Sequence, residues 1–483
     1  MGELEPHVRD AASPLGAAET PAAVAPPRLV LLALGTLSIT AAAWIDPLVG
    51  EALAGIHALL IAALFLVGAA LLLAAATRAA PWRPAPRASR RYRLASSGVL
   101  AAVSLCAIIT LALALGFKLF SASTPQIYDS DAAAFNQFNA ELVLRGHNPY
   151  TADAAFWDAI RQFPDAGATP LRAGRYAVSV YGPSLRQLVR DVQAELANPA
   201  LRGPEFAPAS LHSYPALAFL VYVPGVWLGL PTTLATSALF TILFLLAAGW
   251  GAPRGARLSV GTLLLANTLF VFWTLRGSFE VVALLPALLA WRTLDRRWLS
   301  ALLLGLACAV KQLVWPLAAF YTIIVWRRSG PREALARLGI AAAAFLLPNL
   351  PFLLANPGAW ASSQLLPLSL PIFSSGIGLV GLARWGLLPL LPPAAYTALE
   401  LLAFAGLLFW FARARVLPRP ELALVVGLLP YFLAWHSAFA YLIAIPALAV
   451  YAALEPLQRD LAARAAPAPE RMAADVALVA ASA

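Results

Sequence analysis

The sequence predicts an all-α, multi-pass transmembrane helical bundle of about 11–13 spans, with one large extracytoplasmic loop bearing amphipathic surface helices. Hydrophobic residues fill 61% of the 483 positions and charged residues only 12%, about half the charge of a soluble chain. Long apolar runs recur from Arg28 to Leu454. Together these exclude a soluble enzyme, a secreted disulfide scaffold and a disordered protein.

Residues 1–27 are rich in Ala and Pro, carry Glu3, Glu5, Asp10 and Glu19, and lack a basic start. They read as a disordered cytoplasmic tail, not a cleaved signal peptide. Residues 28–94 form an N-terminal transmembrane hairpin and a basic cytoplasmic loop. Residues 95–454 form the main membrane domain, including the extracytoplasmic loop 120–212, and 455–483 are a cytoplasmic C-terminal tail. Apolar segments suited to spanning fall at 28–45, 53–76, 95–119, 213–230, 232–249, 259–275, 279–293, 299–326, 338–354, 394–412, 419–434 and 437–454. Several are shorter than the roughly 20 residues a helix needs to cross the hydrocarbon. Pro224, Pro316 and Pro430 lie inside such segments, so kinked or broken helices are expected.

Net charge is +10 and almost wholly arginine, with lysine only at Lys118 and Lys311. The arginines cluster between apolar stretches, which makes them topology determinants facing membrane lipid rather than a nucleic-acid surface. Arg78, Arg83, Arg87, Arg90, Arg91 and Arg93 place their loop in the cytoplasm, so 95–119 exits and 120–212 lies outside. Arg327, Arg328, Arg332 and Arg337, then Arg413, Arg415 and Arg419, mark two later cytoplasmic loops. Arg292, Arg296 and Arg297 admit two solutions. Either 299–326 is a re-entrant pair of half-helices with Lys311 toward the outer surface, or it crosses once with Lys311 near mid-membrane. Cys106 and Cys308 lie in apolar runs and read as small core residues.

The outer loop opens with Tyr128-Asp129-Ser130-Asp131 and continues through Phe135 to Arg145-Gly146-His147-Asn148-Pro149-Tyr150. A carboxylate held just after a span can take a proton from an acceptor hydroxyl while the other substrate stays in lipid. The same residues also suit a helix N-cap at Ser130 or Asp131. Asp129-Ser130-Asp131 spells the Asp-x-Asp of metal-dependent nucleotide-sugar enzymes, but the soluble α/β domain that motif requires is missing, so no metal and no cofactor are expected. Residues 185–196 space apolar positions three and four apart and read as an amphipathic helix on the membrane.

Lys311 interrupts the apolar run Leu306–Trp315. A cation there costs about 2.5–3.5 kcal/mol on insertion scales, so such residues usually face a polar cavity, although a lysine near a helix break also snorkels to water. A lipid phosphate is its natural partner. His436, in Trp435-His436-Ser437, suits an ordinary interfacial position as well as a site. Lys118 reads as an interfacial anchor or a second phosphate ligand.

These stretches resemble the C-class (GT-C) glycosyltransferases that use polyprenyl-phosphate sugars, in particular the bacterial polyprenyl-phosphate-mannose-dependent α-mannosyltransferases. The resemblance rests on Asp131 with an aromatic at Phe135, Gly146-x-Asn148-Pro149-Tyr150, Tyr214-Pro215, Gly305 through Lys311, and Trp435-His436 through Pro446. It implies a GT-C-like membrane catalytic domain over 95–454 in the plasma membrane. It implies Asp131 as general base, and Lys311, His436 and Lys118 as donor phosphate ligands. Asp129, Arg145, His147, Asn148 and Tyr150 would contact the acceptor or sugar. The donor would be a polyprenyl-phosphate-linked sugar and the acceptor a lipid, glycan or protein. The chain departs from the family where Tyr is replaced by Phe135, a second Pro by Ala216, and Gly-Gln by Gly277-Ser278, and its outer loop is longer. A transporter or flippase, and a ligase joining preassembled lipid-linked glycans, are the other readings.

Overall fold

The computed structural model describes residues 26–49, 55–77, 90–123, 131–151, 212–230, 232–252, 256–275, 277–369, 375–415 and 417–465, with positions 159, 194, 198 and 200. The helix expected over 185–196 (Ala194 apart) and Asp129 lie outside the described residues, as do the side chains of Lys118 and Asp131.

The described chain is helical. Helices α1 (Pro26–Val49) and α2 (Ile56–Thr77) pair as a hairpin, followed by α3 (Arg90–Ser123) and α4 (Asp131–Leu144). Short α5 (Leu217–Leu220) and α6 (Val223–Trp227) lead into α7 (Thr232–Gly249), then α8 (Arg257–Leu265), α9 (Thr268–Leu275) and α10 (Glu280–Arg292). Next come α11 (Arg297–Val310), α12 (Trp315–Ser329), α13 (Pro331–Ala355), α14 (Pro357–Ser369), α15 (Leu379–Arg384) and α16 (Pro393–Arg413). The last are α17 (Leu422–Val426), α18 (Phe439–Leu442) and α19 (Ile445–Ala465). One two-residue parallel bridge, β1 (Ser375–Gly376) with β2 (His436–Ser437), joins two loops.

Among the described residues six helices are long and apolar enough to cross a membrane, or seven if α8 and α9, bent by 67°, count as one. This is a helical membrane protein. The count is lower than the 11–13 expected because several apolar segments fold as broken halves. Pro224, Pro316 and Pro430 each stand at the first or second position of a new helix, where a missing N–H costs nothing. The α19 segment is the interior span, with 78% of Phe439–Pro456 buried, whereas α3 and α16 are each 17% buried and face lipid.

The segment 297–329 is a helical hairpin. The hydroxyls of Ser300 and Tyr321 lie 2.7 Å apart, and the Trp315 indole donates to the Cys308 carbonyl at 3.0 Å, so α11 rises and α12 returns beside it. Gly305 permits the close packing of α11 on α13, since a Cβ there would meet the Ala341 carbonyl at 2.2 Å. The Arg292–Arg297 loop therefore shares an end of the bundle with Arg327–Arg337, where Arg297 pairs with Glu333 at 3.5 Å. Of the two solutions the sequence left open, the pair of half-helices is the one whose hairpin shape the structure has.

The arginine end is also a set of helix caps. The last carbonyls of a helix lack intrahelical donors and carry the negative end of its dipole. Arg292 donates to Ala247 and Trp250 at the end of α7, and Arg327 to Phe411 and Ala414 at the end of α16. Arg337 donates to Leu294 just beyond α10, and Arg419 to Ala76 at the end of α2 and to Ala452 inside α19, whose carbonyl is left free by Pro456 four residues on. Exposed Trp250, Trp298, Trp326 and Trp410 ring this end, and Trp227 and Trp385 mark the opposite one, as interfacial belts do.

Arg419→Ala strands two carbonyls at about 1–3 kcal/mol each. Thermal unfolding in detergent should show a clear loss of stability for it. Arg297→Ala, whose half-exposed guanidinium pairs only with Glu333 among carboxylates, should lie within about 1 kcal/mol of the parent.

Candidate functional site

The break in the hairpin is made by sequence. Pro316, with no N–H to offer the Gln312 carbonyl four residues back, stands at the start of α12, and Lys311 takes an extended conformation (φ −153°, ψ 138°) between the two helices. With 14 residues in α11, the tip stands about 21 Å from the arginine end.

At that tip Lys311 is buried, and its Nζ donates to Glu280 Oε1 at 2.5 Å. Glu280 opens α10, so its charge also faces the positive end of a helix dipole, and the Ser278 hydroxyl donates to its second oxygen. Three rings enclose the ammonium: Phe279 at 4.3 Å, Tyr441 at 5.3 Å and Tyr214 at 5.5 Å from Nζ to centroid. His436 is half-buried with its ring 6.4 Å from that of Tyr441. Lys311 and His436, distant in sequence, thus border one aromatic ring.

The loop carrying His436 is held by close backbone approach. The Ile377 amide donates to the Ser437 carbonyl at 3.2 Å, and a Cβ on Gly378 would fall 1.7 Å from the Phe432 carbonyl. Only glycine fits there.

The segment Ser213–Ala216 covers the hairpin tip and is pinned from four directions. The Gln312 amide donates to the Ser213 carbonyl at 2.6 Å, and both the Tyr150 hydroxyl (2.9 Å) and Gln364 (3.3 Å) donate to the Tyr214 carbonyl. Asn349 accepts from the Ala216 amide at 2.9 Å. Asn148 accepts from the Tyr150 amide at 3.0 Å, folding the Asn148-Pro149-Tyr150 turn, and Tyr150 itself is buried. The Asn148 and Tyr150 side chains hold this segment in place. Helix α4 ends in paired bonds from Gly146 to Val143 and His147 to Leu142. His147 is exposed, and Arg145 is an exposed partner of Glu141 at 3.1 Å.

His212 ties α4 to this segment. The Asn139 amide nitrogen lies 3.0 Å from its Nδ1, and the rings of Phe219 (5.1 Å), Phe135 (5.2 Å), Tyr150 (5.3 Å) and Tyr214 (5.7 Å) surround it. Asp131 lies one helical turn before Phe135, at the first position of α4. Complete burial lowers the His212 pKa from 6.5 to about 3, so the ring is neutral. Among the described residues no three His, Cys, Asp or Glu side chains group as they would to hold a metal ion.

Reading the sequence passed over Glu280, His212 and Tyr441. The signal for Glu280 was present, because a lysine inside an apolar run needs an acidic partner, and Glu280, Glu400 and Glu421 are the acidic residues within the apolar segments 213–454 apart from the loops. Which of them pairs is a matter of tertiary contact. Compared with known proteins, the chain matches no family model, no curated protein and no solved structure.

Two outcomes follow. Removing Glu280 alone leaves a buried ammonium unpaired, so Glu280→Gln should cost about 3–5 kcal/mol. The double variant Glu280→Gln with Lys311→Met should recover most of that in thermal unfolding. Because the His212 pKa is depressed on folding, its contribution is complete above 6.5 and is lost as pH falls from 6.5 toward 3. Stability should then fall by up to about 1.4 kcal/mol per pH unit, a slope that His212→Gln should abolish in acid unfolding monitored by tryptophan fluorescence.

Proposed function

We propose that this protein is a membrane glycosyltransferase that moves a hexose such as mannose from a polyprenyl-phosphate donor to an acceptor hydroxyl. The reaction takes place at the extracytoplasmic face of the plasma membrane. The observation that supports this reading best is the meeting of the resembling stretches, far apart in the chain, around Tyr214 and Tyr441. Asn148–Tyr150 braces Tyr214, whose ring covers Lys311, and Lys311 and His436 share Tyr441. The positive-inside bias assigns the arginine end to the cytoplasm, so this assembly opens away from it.

In the proposed reaction the isoprenoid chain stays in lipid and its phosphosugar enters beside the hairpin tip. Asp131 takes the proton as the acceptor oxygen bonds to the anomeric carbon, the bond from that carbon to the phosphate oxygen breaks, and polyprenyl phosphate leaves. Lys311 acts as one half of an ion pair. It has three N–H donors, one of them committed to Glu280, so the phosphate would share the ammonium with Glu280 rather than capture a bare cation. Developing negative charge on the leaving phosphate strengthens that contact at the transition state. His436 would supply a second donor.

The test is sugar transfer in membranes given polyprenyl-phosphate mannose and acceptor extracts. Asp131→Asn should lower transfer about 10²–10⁴-fold while leaving the protein folded. Unchanged transfer would overturn the assignment. The helix break at a buried ion pair also favours a transporter or flippase, whose sites are commonly built on interrupted helices. Substrate flux in proteoliposomes with no glycosylated product would make that the better reading.

A further inference from the structure

Glu400 is a carboxylate in the middle of a membrane-spanning helix, a position where ionisable groups face a cavity or a substrate path. On α16 the buried stripe runs Tyr396, Phe404 and Phe411, and Glu400 lies between the first two at the four-residue spacing of one face. Its neighbours Leu401 and Leu402 face lipid. Glu400 itself is only partly buried. Tyr396 packs on Trp435 (5.4 Å between centroids) and Phe404 on Tyr431 (5.5 Å), which sets Glu400 between those two rings. Tyr431 lies within its electrostatic reach.

These rings join the site already described. The Tyr431 ring lies 5.6 Å from that of Tyr441, which covers Lys311 and borders His436. Tyr431, Trp435, His436 and Tyr441 are all partly exposed, although Phe432, Ala434, Ser437 and Leu442 beside them are buried. Among the described residues no cation pairs with Glu400 and no hydrogen bond occupies it. Lys311, the nearest buried ammonium in the site, is committed to Glu280.

A carboxyl group accepts several hydrogen bonds, and flat rings cover the C–H faces of a polar ligand while their hydroxyl and indole groups bond its rim. A phosphate would be repelled by Glu400. A neutral, hydroxyl-rich group suits both features. We propose that Glu400, Tyr431, Trp435, His436 and Tyr441 form the saccharide subsite, in which Glu400 accepts hydroxyls of the transferred sugar while the phosphate lies toward Lys311. The inference rests on the transferase reading and deepens it.

The experiment measures binding of polyprenyl-phosphate mannose, and of polyprenyl phosphate of the same chain length, to full-length protein in nanodiscs. Parent, Glu400→Ala and Glu400→Gln are compared. The expected result is a loss of about tenfold or more in affinity for the sugar lipid with Glu400→Ala and a smaller loss with Glu400→Gln, with the sugar-free lipid bound within about twofold of the parent by both. Equal losses for both lipids, or no loss for either, would overturn the subsite while leaving the transferase reading standing. If the parent binds neither lipid, the transferase reading fails and takes the subsite with it.

Discussion

The ion pair between Lys311 and Glu280 is the constraint around which the membrane core is arranged. Withdrawing two charges from water costs several kcal/mol per ion even after relaxation, and only close pairing with further polar contacts offsets it. Here the carboxylate also accepts from Ser278 and faces a helix N-terminus, and three aromatic rings present their negative faces to the ammonium. The pair lies where the chain reverses, with Lys311 extended between α11 and α12. The reversal exposes backbone groups within the hydrocarbon layer, where none can be left unpaired. The Trp315 indole takes the Cys308 carbonyl and the Tyr431 hydroxyl takes that of Leu313, while Gln312 ties the tip to Ser213. The Ser213 and Tyr431 partners come from distant parts of the chain, so the tip, the Ser213–Ala216 segment and the Tyr431–Tyr441 loop are fixed together.

The two ends of the bundle solve the same problem differently. At the arginine end, helix C-termini meet long guanidinium side chains that reach across to neighbouring carbonyls, combining topology with capping in single residues. At the other end carbonyls are met by neutral donors such as Tyr150, Gln312 and Gln364. A site bounded by neutral donors, aromatic rings and a self-neutralised pair suits a ligand with both polar and apolar parts. For the transfer proposed above, it implies that the phosphate competes with an internal carboxylate, which limits ground-state binding and reserves the stronger contact for the moment charge develops.

Much of the architecture was legible in the sequence because membrane burial acts on local composition. Apolar runs marked the helices, arginine clusters marked one end, and prolines marked the breaks, all through free energies that depend on a residue and its immediate neighbours. Lys311 stood out for the same reason. His436 and Tyr214 were legible only through resemblance. Glu280 and Glu400 were visible as acidic residues in apolar segments but indistinguishable in role, since nothing local says that one meets Lys311 while the other stands beside aromatic rings. His212 carried no signal at all, its neutral buried state being created by four rings from separate segments.

By itself, then, the amino-acid order determined that this chain lives in a bilayer, where its helices run and which ends carry the positive charge, because each follows from transferring a short stretch out of water. Only tertiary packing decided that 297–329 turns back instead of crossing, which carboxylate neutralises Lys311, and which rings enclose it. Those outcomes depend on distances between segments up to hundreds of residues apart, and such distances are fixed by the simultaneous pairing of buried polar groups rather than by any one stretch of chain.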